Sequence, residues 1–220
     1  MNQLNLEQAR FNMIEQQIRP WDVLDDRVLG VLSATPREDF VPPQHQALAF
    51  SDLCIPLANE QCMMPPRLEG RLLQSLAITP GDEILEIGTG SGYLTACLAR
   101  LGDSVHSVDI FPDFTETARE RLSRHSIDNV QLESGDAGRG WHGERRYDAI
   151  AVTGSLPLLH QGYHELLKPG GRLFVIVGRP PIMQALLITH AGDREWNTES
   201  LFETAIPPLL NAPQPEAFKF

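Results

Sequence analysis

A short apolar run at residues 83–87 leads into a glycine-rich turn, and apolar residues at helical spacing follow the turn. Gly88, Gly90 and Gly92 form the turn, and the helical positions are Leu94, Cys97, Leu98 and Leu101. Strand, tight loop and helix in this order begin a nucleotide-binding α/β domain. Because glycine adopts positive φ without steric cost, such a loop can bring backbone amides close to a ligand.

Two later apolar runs end in an acidic residue. Residues 104–109 end in Asp109, about twenty residues beyond the loop, where a carboxylate can accept hydrogen bonds from both hydroxyls of a ribose. Residues 130–136 end in Gly135 and Asp136, and this acid is a natural partner for the amino group of adenine. Glu86 lies two residues before the first loop glycine and is placed to hold the amino group of an amino-acid moiety.

The remaining patterns predict the elements on either side. We expect helices at residues 6–18, from 25 onwards, from 66 onwards and at 156–167, and strands at 172–177, 182–189 and 201–206. Together they predict one α/β domain over residues 1–220, with a doubly wound, mostly parallel, seven-stranded Rossmann-like sheet and helices on both faces. Residues 1–65 would form a helical N-terminal cap and an irregular loop, and residues 66–220 the ligand-binding core.

Composition and charge narrow the range of partners. The net charge of −11 argues against nucleic acid, because a nucleic-acid binder needs a basic face. No apolar run has the length of a membrane span, and the first residues lack the layout of a signal peptide. The three cysteines lack metal-site spacing, and His160 and His164 lack a third ligand, so we expect no metal. These features predict a protein of the reducing cytoplasm that acts on neither nucleic acid nor membrane.

The loop and the acids favour S-adenosylmethionine (SAM) over a dinucleotide. The third glycine of the dinucleotide fingerprint would fall on Tyr93, and the loop has no Lys or Arg to hold a phosphate. An NAD-dependent oxidoreductase is therefore the weaker alternative. From Ile78 to Gly178 the residues resemble the class I SAM-dependent methyltransferases.

A longer set of motifs resembles one family within that class, the protein-L-isoaspartate O-methyltransferases, from Met13 to Gly178. The matching motifs are Arg37-Glu38-Asp39-Phe40-Val41-Pro42, Ala49-Phe50-Ser51-Asp52, Glu86-Ile87-Gly88-Thr89-Gly90-Ser91-Gly92-Tyr93, Gly135-Asp136, Tyr147-Asp148-Ala149-Ile150-Ala151-Val152-Thr153 and Leu167-Lys168-Pro169-Gly170-Gly171-Arg172-Leu173. Ile206-Pro207-Pro208-Leu209 resembles the last strand of the family. The resemblance implies SAM as cofactor, S-adenosyl-L-homocysteine as product, and a cofactor site formed by Glu86, Gly88, Thr89, Gly90, Gly92, Asp109, Ile110, Asp136 and Ala137.

The chain departs from the family pattern in the acceptor loop, at the junction of the N-terminal region 1–65 and the core 66–220. The family usually has Gly-Gln-Thr-Ile-Ser-Gln-Pro there, and its hydroxyls hold the substrate. Residues 60–66 read EQCMMPP instead, so both hydroxyls are lost and Met64 replaces the family's serine. A thioether is at best a weak acceptor of hydrogen bonds. Residues 153–157, Thr-Gly-Ser-Leu-Pro, are altered as well.

The chemistry of the acceptor side rests on few residues. A carboxylate acceptor is already anionic at neutral pH, so methyl transfer to it needs alignment and no general base. Met64 and Arg67 are the candidate catalytic residues, because the Arg67 guanidinium could clamp a carboxylate beside Met64. The alternatives are a surface arginine paired with Glu69 or Glu60, and a methionine that only packs.

The sequence leaves three functions open. The first is methylation of a carboxylate, with isoaspartyl residues of damaged proteins as first candidate substrate. The second is transfer to another acceptor, such as a small acidic molecule or a peptide. The third is a SAM-binding protein without transfer activity. The intact cofactor half and the altered acceptor half motivate the last two.

Overall fold

The chain forms one large sheet and a small hairpin that precedes it. The computed structural model describes residues 3–193 and 195–215. Within these residues the strands are β1 (Ile55–Pro56), β2 (Cys62–Met63), β3 (Glu83–Ile87), β4 (Ser104–Asp109), β5 (Val130–Ser134), β6 (Tyr147–Leu156), β7 (Leu167–Arg179), β8 (Ile182–Gly192) and β9 (Glu195–Thr204). The hairpin consists of β1 and β2, and the seven-stranded sheet has the order β5-β4-β3-β6-β7-β8-β9.

The predicted sheet is confirmed. Its first five strands, from β5 to β7 in spatial order, are parallel, and β8 and β9 extend it as an antiparallel hairpin at one edge. From β3 the chain winds outwards through β4 to β5, and then returns to the other side of β3 as β6. The carboxyl ends of β3 and β6 therefore lie at a topological switch point, where open α/β sheets bind their ligands.

The helices carry the predicted apolar stripes. They are α1 (Gln3–Met13), α2 (Asp26–Ala34), α3 (Pro66–Leu76), α4 (Tyr93–Leu101) and α5 (Pro112–Arg124). A π-helical turn at Ile14–Ile18 continues α1, and 3₁₀ helices lie at Arg19–Trp21, Arg37–Asp39, Pro43–Leu48 and Gln161–Leu166. Asp25 caps α2 by accepting hydrogen bonds from the amides of Arg27 and Val28. None of the helices in the described residues is long and apolar enough to cross a membrane.

The sheet separates two hydrophobic cores. All five α-helices of the described residues pack over one face, where they form the larger core with side chains such as Ile84, Val105 and Phe174. The other face carries the 3₁₀ helix Gln161–Leu166, whose Tyr163 and Leu166 are buried there. The N-terminal helices thus share the core of the sheet.

The α-helix expected at residues 156–167 does not form. Instead β6 continues to Leu156, and a short 3₁₀ helix occupies only Gln161–Leu166. Gly162 explains part of this difference, because a Cβ at that position would overlap the carbonyl oxygen of Arg139. The His160 side chain accepts a hydrogen bond from the Gly162 amide and fixes the start of the short helix. Close packing against the loop after β5 therefore overrides the helical propensity of residues 156–167.

The strand expected at residues 201–206 was wrong in its bounds, and the family-like last strand at 206–209 does not form. The last strand, β9, ends at Thr204, and Pro208 forms only an isolated bridge with Ser155. Proline has no amide hydrogen, so two consecutive prolines cannot continue a ladder. Segment 206–209 is held to the end of β6 instead: Ser155 donates its amide to the Pro207 carbonyl and its hydroxyl to the Ile206 carbonyl, both at 2.9 Å.

The segment before α3 contains a regular hairpin that the sequence did not reveal. Pro56 pairs with Cys62 and Ile55 with Met63, and both Ile55 and Met63 are buried. The turn between the strands includes Asn59 and Glu60, which have φ of 53° and 58°. Strands of two residues give too little alternation to be recognised in a sequence.

Candidate functional site

A cavity opens at the switch point, along the carboxyl ends of β3, β4, β5 and β6. The loops after β3, β4 and β5 contribute to its wall, β6 contributes residues of the strand itself, and segment 206–210 also lines it. The lining includes Ile87, Gly88, Gly90, Asp109, Ile110, Phe111, Gly135, Asp136, Ala137, Thr153 and Gly154, together with Leu57, Cys62 and Met64 from the hairpin region. Its charged side chains, within the described residues, are two aspartates. The wall therefore suits a ligand that carries positive charge and hydroxyl groups.

The glycine loop needs its glycines for geometric reasons. Gly88 has φ of 98°, and a Cβ there would overlap Thr153 Oγ1. That hydroxyl donates to the carbonyls of Ile87 and Gly88 at 2.9 Å each, so it ties β6 to the loop. Gly92 has φ of 82° and begins α4 against Ala118 of α5, whose Cβ lies 3.0 Å from the position that a Cβ would take. Gly92 therefore supports the loop, while Gly88 and Gly90 face the cavity.

Asp109 ends β4 and faces the cavity from below the loop. Its carboxylate accepts hydrogen bonds from the amides of Gly90 at 2.9 Å and of Phe111 at 3.0 Å. Burial raises the pKa of Asp109 above its ordinary value, although these amides oppose the shift. A carboxylate oxygen has two lone pairs, so this side chain orders the loop and can still accept a hydrogen bond from a ligand hydroxyl.

Asp136 and its neighbours form the wall beyond β5. Oδ1 of Asp136 accepts the Gly138 amide, and Oδ2 accepts the side-chain amide of Asn211, both at 2.9 Å. The second contact joins the cofactor side of the cavity to the C-terminal segment. Ile110 and Ala137 also lie in the wall and supply apolar surface near the two aspartates.

Glu86 lies beneath the loop and contributes nothing to the cavity wall. It is fully buried, and Oε2 accepts hydrogen bonds from the hydroxyls of Thr95 and Ser107. Ser107 also contacts the Thr89 hydroxyl at 2.6 Å, so these side chains link β3, β4, α4 and the loop. Burial raises the pKa of Glu86 to about 8, and Oε1 has no partner within the described residues.

A second, smaller cavity adjoins the first on the side of the hairpin. The two share Leu57, Cys62, Met64, Gly88, Gly90 and Thr153. Its wall also contains Glu69, a carboxyl group that the sequence interpretation considered only as a partner for Arg67. Glu69 is 2% exposed, and burial raises its pKa to about 7. The signal was present in the sequence, because Glu69 falls on the same helical face as Leu72, Leu73 and Leu76.

Arg37 is a second residue that the sequence interpretation passed over. It is fully buried and pairs through Nη1 with Oε2 of Glu69. Nη2 donates to the Met64 carbonyl at 2.6 Å, and Nε donates to the Ala49 carbonyl at 2.9 Å. The guanidinium also lies 4.8 Å from the centre of the Tyr93 ring. This one side chain therefore fixes the position of Met64 relative to α3 and α4.

Met64 lies in the walls of the two cavities, whereas Arg67 lies outside them. Met64 is 6% exposed and lines both cavities. Arg67 is absent from both walls; it pairs with Asp52, and its guanidinium lies 4.4 Å from the centre of the Trp21 ring. The partner of Arg67 is therefore neither Glu69 nor Glu60.

Comparisons with known proteins agree with this geometry. The family model described as protein-L-isoaspartate(D-aspartate) O-methyltransferase (PCMT) matches residues 8–211. The chain belongs to this family. It is 33% identical to a protein-L-isoaspartate O-methyltransferase of Brucella anthropi over 94% of this chain and 95% of the relative. It is 37% identical to one of Gloeobacter violaceus over 76% of this chain and 81% of the relative.

Solved structures show the same fold for PCMT proteins. A protein-L-isoaspartate O-methyltransferase superposes with a TM-score of 0.75 at 24% identity, over 92% of this chain and 65% of that one. A Plasmodium falciparum beta-aspartate methyltransferase (PCMT), solved with S-adenosyl-L-homocysteine, superposes with a TM-score of 0.77 at 19% identity, over 93% of this chain and 97% of that one. PCMT membership makes the chain a SAM-dependent methyltransferase with a Rossmann-like fold, as the sequence predicted.

The cavity fits the cofactor of the PCMT family. Gly88 and Gly90 leave room for a ligand against the backbone, and Asp109 and Asp136 offer acceptors to hydroxyl and amino groups. The sulfonium of SAM is positive, which agrees with a wall whose charged members, within the described residues, are aspartates. The described residues contain no group of three His, Cys, Asp or Glu side chains that could hold a metal ion.

Proposed function

We propose that this PCMT member transfers the methyl group of SAM to a carboxylate, with isoaspartyl residues of proteins as its first substrate. One observation supports the proposal above all. The acidic cavity at the switch point adjoins the second cavity around Met64, and Gly88 and Gly90 of the glycine loop belong to both walls. A donor and an acceptor bound in these neighbouring spaces would meet at the loop.

On the cofactor side, we assign the ribose hydroxyls to Asp109 and the adenine amino group to Asp136. Ile110 and Ala137 would enclose the adenine ring, and the backbone of Gly88 and Gly90 would approach the methionine moiety. When bound, SAM supplies the electrophilic methyl group. Glu86 and Gly92 would act by holding the loop in position, because they lie beneath it and at its end. Thr89 belongs to the loop and lines the second cavity, and its hydroxyl contacts Ser107, so it would anchor the loop from within.

The ammonium group of the cofactor has two candidate partners. Glu86 has an unpartnered Oε1 but is separated from the wall by the loop. Glu69 lines the second cavity, and only its Oε2 is engaged by Arg37. We favour Glu69, because a carboxylate in the wall can reach a ligand without displacing the backbone.

On the acceptor side, the chain has to align a carboxylate and exclude water. An ionised carboxylate needs no base, and the transfer is an in-line displacement for which orientation supplies most of the gain. Met64, Cys62 and Leu57 provide an apolar wall for this purpose. We propose that Arg67, held by Asp52 outside the cavities, contacts the peptide around the acceptor rather than the reacting carboxylate.

The loss of the hydroxyls at Met64 supports a second candidate, a PCMT member with another acceptor. A methionine in the wall offers no donor to a substrate carbonyl, and it favours an apolar neighbour of the methylated group. A peptide with a different sequence context, or a small acidic molecule, would be the acceptor. We further propose that the protein works in the cytoplasm, where its three free cysteines would stay reduced.

Transfer of labelled methyl from SAM to an isoaspartyl peptide, with its aspartyl counterpart as control, tests the proposal. We expect base-labile methyl ester on the isoaspartyl peptide alone. Met64→Ser is measured alongside, and Asp109→Asn serves as the variant that should lose SAM binding. Transfer by Met64→Ser but not by the natural chain would favour the second candidate. SAM binding without transfer by either protein would overturn the isoaspartyl proposal and show that the acceptor site departs from the family by more than Met64.

A further inference from the structure

The β1–β2 hairpin places two cysteines together beside the catalytic cavities. Cys62 lies in β2 opposite Pro56, and Cys54 lies two residues before Pro56. Since side chains alternate along a strand, Cys54 and Cys62 lie on the same face of the hairpin as diagonal neighbours. Ile55 and Met63 point to the opposite face and are buried in the larger core.

The two cysteines are neighbours on one face of the hairpin, and both are partly exposed. Hydrogen bonding from the neighbouring Cys62 thiol favours the thiolate of Cys54 and is the main reason why the pKa of Cys54 is lowered to about 7. The positive charge of Arg67 adds to the effect, while the burial of Cys54 and the charge of Asp52 oppose it. Near neutral pH a substantial fraction of Cys54 is therefore the reactive thiolate, with a second thiol beside it. The third cysteine, Cys97, is fully buried, and its pKa is raised to about 12.

We propose that Cys54 and Cys62 are a thiol-oxidation site, and that their disulfide lowers methyl transfer by moving the acceptor wall. The oxidant is a hydroperoxide such as hydrogen peroxide. The Cys54 thiolate attacks one peroxide oxygen, and the O–O bond breaks to give a sulfenic acid and hydroxide, which takes up a proton as water. The Cys62 sulfur then attacks the Cys54 sulfur, loses its proton and expels hydroxide, which leaves as a second water. Two thiols are oxidised and one peroxide is reduced.

The disulfide would act on the cavity because Cys62 belongs to its wall. Cys62 and Met64 line both cavities, while Cys54 lines neither. Diagonal partners are farther apart than directly opposite ones, so closure of a sulfur–sulfur bond draws β1 and β2 together. The ladder has only two residue pairs, and it can shift without breaking the main sheet. The cofactor wall at Asp109 and Asp136 lies on other elements and would keep its shape.

The test treats the full-length protein with hydrogen peroxide and maps its disulfides by mass spectrometry. We expect one internal link between Cys54 and Cys62, formed faster as the pH rises through about 7 and reversed by dithiothreitol. Cys97 should stay unmodified and serves as the internal control. Absence of the link, or cysteines oxidised individually to sulfinic acid, would overturn the proposal. This part of the test needs no acceptor, so it stands even if the isoaspartyl substrate is wrong.

The second part measures function in the oxidised protein. We expect the affinity for SAM to be kept, while methyl transfer to the peptide falls by about tenfold, since misplacement of a substrate by a fraction of an ångström has effects of this order or larger. The expected loss of methyl transfer rests on the proposed function. Cys54→Ser should show the basal activity and no response to peroxide. A cross-linked protein with unchanged transfer, or an equal loss in Cys54→Ser, would overturn the proposed control of activity.

Discussion

The carboxyl groups around the glycine loop differ in the cavity that they face, and this difference assigns them different tasks. Asp109 and Asp136 face the larger cavity, Glu69 faces the smaller one, and Glu86 lies beneath the loop. The two aspartates could be predicted because each follows an apolar run that forms a strand. Glu69 was visible as an acid on a buried helical face. The role of Arg37 could not be predicted from the sequence, because its four contacts come from segments that only the tertiary structure brings together.

At the residue scale, the assignment of the ammonium group to Glu69 can be tested directly. Glu69→Gln should weaken SAM binding by about tenfold, the order of one charge-assisted hydrogen bond, whereas Glu86→Gln should change it less. Calorimetric titration of both variants with SAM measures this. The exposed Glu60→Gln is the matched control from the same region.

Glu69→Gln should also destabilise the protein by roughly 3 kcal/mol, because Arg37 is then buried without its counter-charge. Affinity is therefore measured at a temperature at which the variant is folded, as judged by circular dichroism. Equal affinities of Glu69→Gln and the natural chain would assign the ammonium group elsewhere.

At the element scale, local patterns predicted what local interactions determine. The β3–loop–α4 unit could be recognised because its three glycines have positive φ, which the local backbone of the turn requires. The structure of segment 206–209 could not be predicted in this way, because its backbone bonds to the end of β6 instead of extending a strand. The 3₁₀ helix Gln161–Leu166 likewise depends on the loop around Arg139, which lies more than twenty residues away in the sequence.

The prediction at the scale of the element concerns a side chain added to the glycine loop. Gly88→Ala should abolish measurable SAM binding and destabilise the protein by about 2 kcal/mol or more, because the new methyl group would meet Thr153 and the backbone has positive φ. Gly81→Ala is the matched control, since no atom lies within 4 Å of the added Cβ and its φ is not positive. Urea unfolding and SAM titration check both variants. Similar behaviour of the two would mean that the loop tolerates a side chain.

At the scale of the whole molecule, the mostly parallel, seven-stranded sheet and the position of the cofactor cavity were predictable from the order of apolar runs. The elements that cover the second face of the sheet could not be predicted, because a 3₁₀ helix and loops replace the expected α-helix there. The acceptor side was recognised as altered, but its shape depends on Arg37 and on the hairpin, which no local pattern reveals.

The buried Glu86 makes stability depend on pH in a definite direction. Burial raises its pKa in the folded state to about 8, from an ordinary value of 4.5, so between these values the folded protein binds more protons than the unfolded chain. The contribution of Glu86 to the free energy of unfolding is therefore fully present below about pH 4.5, and it is lost as the pH rises towards 8. Cys54, whose pKa is lowered to about 7, acts in the opposite direction above that pH. A comparison with Glu86→Gln isolates the glutamate, because glutamine does not titrate.

We therefore expect the natural chain without SAM to lose roughly 2 kcal/mol more unfolding free energy between pH 6 and pH 8 than Glu86→Gln loses. Urea denaturation of both proteins at the two pH values measures the difference. Binding of a cofactor ammonium at Glu86 would stabilise its ionised form and reduce this difference, whereas binding at Glu69 would leave it unchanged. The same pair of proteins with saturating SAM thus reports which carboxylate the cofactor contacts, and an identical pH dependence without SAM would show that Glu86 is ionised throughout.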